Sequence, residues 1–348
     1  MTDSVRWGMR LAVVGAGAVG SVVGGLLARA GEDVTLIGRR SHVDAVNRDG
    51  LRIDGALGEV HVRVKAAERL DFKPDLALLA MKTQGVAPAA RELHPYVVGV
   101  PVLTMQNGVR SDELVAEVLG RENLLSSVVL LGATFLEAGR VTYSPKGVLV
   151  LGVPFGPIDE RTRAIAAVLD KAVPTQLSAN IAGTHWTKLI VNENNALPAV
   201  TGLSIQEVNR HPALRRLSVL MMREAVETIA AAGIKLASLP RLSAAALTTV
   251  LRMPLPIPTR LLRLSSLSLG GSPALGSTLQ SVRRGERTEI DYLNGEVIAL
   301  GKRTGRPTPY NATVVDLVHQ VEATGRFLTA EAVTAAIDRA VRPGVADP

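Results

Sequence analysis

The stretch that most constrains this chain is Gly15-Ala16-Gly17-Ala18-Val19-Gly20, three glycines in the spacing G-x-G-x-x-G between a short apolar run and a helical pattern. Leu11 to Val14 reads as a buried strand, Ala18 to Ala30 as the helix after it, and Asp33 to Ile37 as a second strand. In that context each glycine has a task. Gly15 permits the tight turn, Gly17 lets a pyrophosphate approach the backbone, and Gly20 lets the helix pack closely on the strand. The first helical turn, with Ala18 and Val19, offers unpaired amides and a positive dipole end to phosphate oxygens. A dinucleotide-binding βαβ unit is the expectation.

The end of the second strand distinguishes the nicotinamide dinucleotides, because a carboxylate there would accept hydrogen bonds from free ribose hydroxyls. This chain has Leu36-Ile37-Gly38-Arg39-Arg40, with no acid and two guanidinium groups, which suits the 2′-phosphate of NADPH. Arg39 is assigned to that phosphate, while Arg40 reads equally well as a surface residue of the next helix. Two further groups follow buried-strand patterns: Met81-Lys82-Thr83-Gln84 after Asp75 to Met81, and Gln106-Asn107-Gly108 after Val102 to Met105. Open α/β sheets bind ligands at this carboxyl edge. Lys82 and Gln84 are therefore expected to face the cofactor, and Asn107 the nicotinamide or the substrate. Either group also reads as an ordinary turn.

Alternation of strand and helix through the first half predicts a parallel sheet wrapped by helices. Leu51 to Ile53 and Val60 to Val64 read as a hairpin, and Val128 to Phe135, Arg140 to Tyr143 and Val148 to Leu151 as extensions of the sheet. From about Asn180 helical periodicity takes over, in Thr184 to Ala196, Ala213 to Ala232, Thr278 to Arg284 and Glu289 to Arg303. The expected fold is α/β, with an amino-terminal Rossmann-type domain over residues 1–179 and a mainly α-helical carboxy-terminal domain over 180–348. Arg252 to Gly276, carrying Pro254, Pro256 and Pro258, reads as an irregular insert.

Length and composition agree with two globular cores: 348 residues, 47% hydrophobic and 20% charged. The net charge of +7 comes from scattered Arg and Lys without interleaved aromatics, which make up only 3%. That pattern argues against a nucleic-acid partner and for a basic enzyme acting on anionic ligands. The absence of cysteine excludes thiol catalysis and thiolate metal ligation, and the six histidines show no ligand spacing, so no metal is expected. Met1 to Arg10 is polar, and no run approaches the roughly 20 apolar residues of a membrane span. A cytoplasmic protein with no signal peptide and no membrane partner is the expectation.

The second half carries a polar stripe. In Trp186-Thr187-Lys188-Leu189-Ile190-Val191-Asn192-Glu193-Asn194-Asn195, a rotation of about 100° per residue aligns Lys188, Asn192 and Asn195 among apolar neighbours. A lone lysine would suggest a solvated face, but paired asparagines are poor helix formers and point instead to a cleft. Adding a hydride to a ketone places negative charge on oxygen, so the catalyst needs a positive donor that can release a proton. Lys188 meets both needs, with Asn192 to hold the oxygen or orient the lysine and Asn195 to contact another substrate group. Farther on, Ser277 reads either as a carboxylate ligand or as a helix cap, and Thr288 with Asp291 as a capping pattern.

Taken in order, these residues resemble the ketopantoate reductase (2-dehydropantoate 2-reductase) family. The match runs from the glycine loop through Arg39, Lys82-Thr83-Gln84, Gln106-Asn107-Gly108-Val109, Lys188 with Asn192, Ser277 and Thr288-Glu289-Ile290-Asp291 to Asn294-Gly295. The resemblance implies NADPH-dependent reduction of ketopantoate to pantoate, or of a related 2-oxo acid, in the route to pantothenate. It implies Lys188 as general acid, Asn192 and Asn107 as substrate or cofactor contacts, Ser277 as carboxylate ligand, and Glu289 as a holder of cofactor and lysine. Family members are cytoplasmic monomers or homodimers. A dehydrogenase for another hydroxy or amino acid, or a non-catalytic NADP(H)-binding regulator, are the alternatives. Three departures stand out: Ala196 where the family carries a second asparagine, with Asn195 beside it; Ser281 where an aspartate is usual; and a longer, more apolar Arg252 to Gly276 stretch.

Overall fold

The structure, a computed structural model, describes residues 8–144, 147–267 and 273–341. The polar Met1 to Arg10 segment and the proline-rich Arg252 to Gly276 segment each extend partly outside these residues. By its internal contacts the chain divides into two units, one ending at Ala182 and the other beginning at Gly183.

The described residues of the first unit form twelve strands: β1 (Arg10–Val14), β2 (Asp33–Ile37), β3 (Leu51–Gly55), β4 (Val60–Val62), β5 (Lys65–Ala67), β6 (Leu76–Leu79), β7 (Val102–Thr104), β8 (Leu124–Leu130), β9 (Ala133–Glu137), β10 (Arg140–Tyr143), β11 (Val148–Gly152) and β12 (Thr175–Leu177). Eight of them form one sheet in the order β12-β11-β8-β7-β6-β1-β2-β5. Its pairings are parallel except for β8 with β11. This is the Rossmann-type arrangement that the glycine loop predicts. The chain reverses direction across the sheet between β1 and β6, the topological switch point where such sheets bind ligands. Leu11, Val13, Leu76 and Leu78 are fully buried at the centre. Each contributes about 2 kcal/mol of transfer free energy.

A second, four-stranded sheet, β4-β3-β10-β9, corrects the expectation that every later strand extends the first. The predicted hairpin is present as antiparallel β3 and β4, but β3 also pairs in parallel with β10, Arg52 opposite Arg140. The expected strand Val128 to Phe135 is interrupted, its first part lying in β8 and its last in β9. Alternation identifies strands but says nothing about which distant strand becomes a neighbour. The helix Ala18–Arg29 is small-sided enough to lie between the two sheets. A Cβ at Gly24 would meet Leu36 of β2 at 2.5 Å, and one at Gly25 would meet Leu51 of β3 at 2.7 Å.

The described part of the second unit is helical. The chain runs through Ile181–Asn192, a 3-10 turn at Glu193–Asn195, and the helices Ala196–Thr201, Ile205–Arg210, Pro212–Ala231, Ala244–Arg252, Pro256–Leu267, Ser277–Arg283, Asn294–Thr304, Pro309–Thr324 and Ala330–Val341. Leu197, Val200, Leu214, Met221, Val314 and Val318 form its core. The reading of Arg252 to Gly276 as irregular is corrected by the helix Pro256–Leu267. Pro256 and Pro258 lie in its first turn, where a missing N–H removes no intrahelical bond, so they start the helix rather than break it. Residues 268–272 of that stretch lie outside the described residues.

Candidate active site

In the first unit three loops follow three adjacent parallel strands, β1, β6 and β7. Gly15 takes φ +98°, and a Cβ there would lie 2.5 Å from the amide nitrogen of Met81, so both conformation and space demand glycine. At Gly20 a Cβ would fall 2.3 Å from the carbonyl oxygen of Gly15, which is the close helix packing the motif predicts. Gly17 is different: a Cβ there would meet nothing within 4 Å. Gly17 is also the N-cap of Ala18–Arg29 and supplies no side-chain cap, and the first turn holds no acid. An open cradle over an uncapped helix start fits a pyrophosphate.

Lys82 and Gln84 lie at and within the 3-10 turn Thr83–Gly85 beyond β6, both half-buried. Thr83 Oγ1 donates to the carbonyl of Asn107 at 3.2 Å, and buried Gln106 donates through Nε2 to the carbonyls of Leu79 at 2.7 Å and Met81 at 3.2 Å. The loops after β6 and β7 are thereby tied together, placing half-buried Asn107 beside the Lys82 turn. Arg39 is exposed at the N-cap of the helix Arg40–Asp49. Arg40 sits one residue on, its Nε 3.8 Å from Asp44, an exposed i,i+4 pair. That pairing is the surface role open to Arg40 from sequence.

His42 was not singled out by the sequence. It is buried, its Nδ1 accepting from the Gly139 amide at 3.0 Å and its Nε2 lying 3.1 Å from Ser21 Oγ. An amide can only donate, so Nδ1 is the acceptor and Nε2 carries the proton toward Ser21. Burial holds the imidazole below its ordinary pKa. The ring couples the glycine-loop helix to the helix that Arg39 caps.

In the second unit, Lys188 and Asn192 lie on Ile181–Asn192, and Asn195 ends the 3-10 turn that follows. An α-helical stripe would offset Asn195 from Asn192, but about 120° per residue in the tighter turn brings positions three apart into line. Asn195 Nδ2 donates to Asn192 Oδ1 at 3.4 Å. Position 196, where the resemblance calls for asparagine, is inside the core: Ala196 is 1% exposed. Half-buried Asn195 therefore stands where an amide can face solvent or ligand.

Lys188 is half-buried, and desolvation lowers its pKa to about 8 against the opposing pull of the Glu289 carboxylate. Glu289 precedes the 3-10 turn Ile290–Tyr292, not a helix as its periodicity predicts; the helix starts only at Asn294. Leu293, at φ −116° and ψ −100°, breaks the rod between them. Thr288 and Asp291 form no capping pattern. Thr288 Oγ1 accepts from the Ile290 amide at 3.2 Å, and Asp291 instead faces Arg287 and His319. Ser277 does not cap its helix either. Gly276 is the N-cap, no side-chain cap bond is made, and Ser277 is exposed as the first helical residue. A Cβ at Gly276 would fall 2.7 Å from Asn195 Oδ1, so the start of the Ser277 helix lies directly against the asparagine pair. Lys188 with Glu289, and Asn192 with Asn195 and Ser277, are thus brought into one neighbourhood of the second unit.

Next to this neighbourhood lies a residue absent from the expected site. Glu193, with no exposed surface, accepts from Asn294 Nδ2 at 2.8 Å. Burial and the nearby Glu224 push its carboxyl well above the ordinary range. A charged residue between two polar ones reads as surface, and its partner lies about a hundred residues away, so no local signal marked it.

Comparison with known proteins locates this arrangement. Residues 11–154 match the model of the ketopantoate reductase PanE/ApbA family, and residues 180–322 match its C-terminal model. A 2-dehydropantoate 2-reductase from Pyrococcus horikoshii is 31% identical over 320 residues, 91% of this chain and 99% of that protein. A PanE/ApbA family ketopantoate reductase from Ralstonia eutropha JMP134 superposes with a TM-score of 0.76 at 31% identity, covering 91% of this chain and 99% of that one. D-mandelate dehydrogenase in complex with NADH shares the fold, TM-score 0.77, at 22% identity over 91% of this chain and 99% of that one.

Proposed function

Since the chain belongs to the ketopantoate reductase family, we propose that it reduces ketopantoate, or a closely related branched 2-oxo acid, to the 2-hydroxy acid at the expense of NADPH, with Lys188 as general acid. The cofactor supplies the hydride that goes to C2 of the oxo acid. Gly15, Ala16, Gly17, Ala18, Val19 and Gly20 cradle its pyrophosphate, Arg39 holds the 2′-phosphate, and Lys82, Gln84 and Asn107 face its nicotinamide half. Lys188 Nζ gives a proton to the carbonyl oxygen as negative charge develops there. Asn192 orients the lysine and the oxygen, Asn195 and Ser277 bind the polar end of the substrate, and Glu289 keeps Lys188 charged.

The observation that carries this reading is the lysine itself. An ammonium with a pKa near 8 is charged at neutral pH yet releases its proton more readily than an exposed lysine, as a general acid must. NADPH is favoured over NADH by Arg39 and the absence of acid directly after β2.

The test follows NADPH absorbance with ketopantoate and a panel of 2-oxo acids, using wild type and Lys188→Ala. Reduction of ketopantoate above all others, lost in Lys188→Ala, is the expected result. Reduction of a different acid would replace the substrate, and NADPH binding without turnover would make the chain a cofactor-responsive regulator. An undiminished rate in Lys188→Ala would remove the general acid.

A further inference from the structure

A carboxyl group with no exposed surface is expensive unless its geometry is used. Glu193 opens the 3-10 turn that ends in Asn195, and its bond to Asn294 starts a chain of hydrogen bonds across the unit. Asn294 Nδ2 also donates to Asn311 Oδ1 at 2.9 Å, and Asn311 Nδ2 donates to Glu224 Oε2 at 2.9 Å and to the Met221 carbonyl at 3.2 Å. Glu224 is held in turn by the amides of Tyr310 at 2.8 Å and Asn311 at 2.9 Å. Asn294 and Asn311 are as fully buried as Glu193. One relay thus joins the 3-10 turn to the starts of the helices Asn294–Thr304 and Pro309–Thr324 and to the middle of Pro212–Ala231.

We propose that Glu193 is a positioning residue: by anchoring the 3-10 turn to Asn294 it fixes Asn195 in line with Asn192, and so sets where the substrate's polar end is gripped. Its partner Asn294 is the first residue of the helix that follows Glu289 and the short turn after it, so the same anchor registers the asparagine pair against the segment carrying Glu289. Glu193 itself touches neither substrate nor cofactor in this scheme. Of the two acids in the relay, Glu224 receives three N–H donors and Glu193 only the one from Asn294, and burial together with Glu224 pushes the Glu193 carboxyl toward its neutral form. A neutral isostere therefore meets its task as well as the native residue does. This inference rests on the reading of Asn192 and Asn195 as substrate ligands.

The test compares Glu193→Gln, Glu193→Leu and the milder Glu193→Asp with Asn195→Ala in the full-length protein. Glu193→Gln is expected to stay within about threefold of wild type, because it keeps volume and an acceptor for Asn294. Glu193→Leu is expected to lose at least tenfold in kcat/KM for the oxo acid with NADPH affinity unchanged. The double variant Glu193→Leu, Asn195→Ala is expected to be no worse than Asn195→Ala alone, since both act through one contact. Should Glu193→Leu not fold, Glu193→Asp, one methylene short of Asn294, takes its place with a severalfold loss. Additive losses, or a Gln variant as impaired as the Leu or Asp variant, would overturn the proposal. The side-chain amide NMR signals of Asn192 and Asn195 provide a readout without turnover. They are expected to shift in the Leu or Asp variant and not in Gln, and unmoved signals would also overturn it. If wild type reduces no oxo acid, the proposed reaction fails while those signals still decide the positioning.

Discussion

Asn195 occupies the space a side chain at Gly276 would need: a Cβ there would lie 2.7 Å from its Oδ1 and 3.1 Å from its Cγ. The obstruction is the tip of a side chain rather than backbone, so it can be relieved by displacing the amide. Gly276→Ala should therefore leave the melting temperature within a few degrees of wild type while lowering kcat/KM for the oxo acid, by about tenfold for a lost polar contact of roughly 1.4 kcal/mol. Steady-state kinetics beside thermal denaturation checks this, and a large fall in stability with unchanged kinetics would contradict it.

The pKa near 8 of Lys188 makes a statement about pH. With Lys188 as the proposed general acid, reduction would use the protonated ammonium, so its rate should fall as pH rises through about 8, and the reverse oxidation should rise over the same range. Glu289 raises this pKa, so Glu289→Gln should move both limbs to lower pH. Lys188→Ala should cost about 10²- to 10⁴-fold in kcat, the usual contribution of a positioned proton donor. Profiles of kcat against pH in both directions decide the matter.

Cofactor choice separates the neighbouring arginines. Arg39→Ala should raise KM for NADPH by about tenfold or more with little change for NADH, since a charge-assisted bond to a phosphate is worth about 1.5–3 kcal/mol. Arg40, in an exposed pair with Asp44, should change neither by more than about twofold. Equal effects of the two substitutions on NADPH would show that the 2′-phosphate is read differently.

Buried His42 contributes a pH-dependent term to stability. Its folded pKa lies below the ordinary histidine value of 6.5, so in the window between the two the unfolded chain binds the extra proton. Stability from this group is complete above about pH 6.5 and declines as pH falls toward the lower folded value. Protonated Nδ1 would face the Gly139 amide donor to donor. Urea denaturation from pH 7.5 to 5 should show a loss in wild type that is smaller in His42→Gln.

Much of this site was legible because its signals are local. The strand, glycines and helix around Gly15 lie within twenty residues, and Lys82, Asn107 and the Lys188 stripe each sit where a short pattern ends or repeats. What escaped depends on residues far apart. The parallel pairing of β3 with β10 leaves no mark in either strand, and Glu193 looks like a solvated acid until Asn294 is brought to it. The prolines at 256 and 258 misled because the same residue breaks a helix in its interior and begins one at its first turn. For Ser277, capping and ligand binding share one sequence signature, and its position after the N-cap Gly276 removes the capping role alone.

The helix Ala18–Arg29 lies between two sheets, and one of those sheets pairs Arg52 with Arg140, closing a loop of some ninety residues. During synthesis the parallel strands that cradle the glycine loop are all made by Leu130, yet the opposite flank of that helix stays without β10 until Tyr143 has emerged. A nascent chain stalled in that interval carries the loop without the finished layer behind it. Contacts of such long sequence separation slow folding, so competence to hold a dinucleotide should arrive late and all at once rather than growing with chain length.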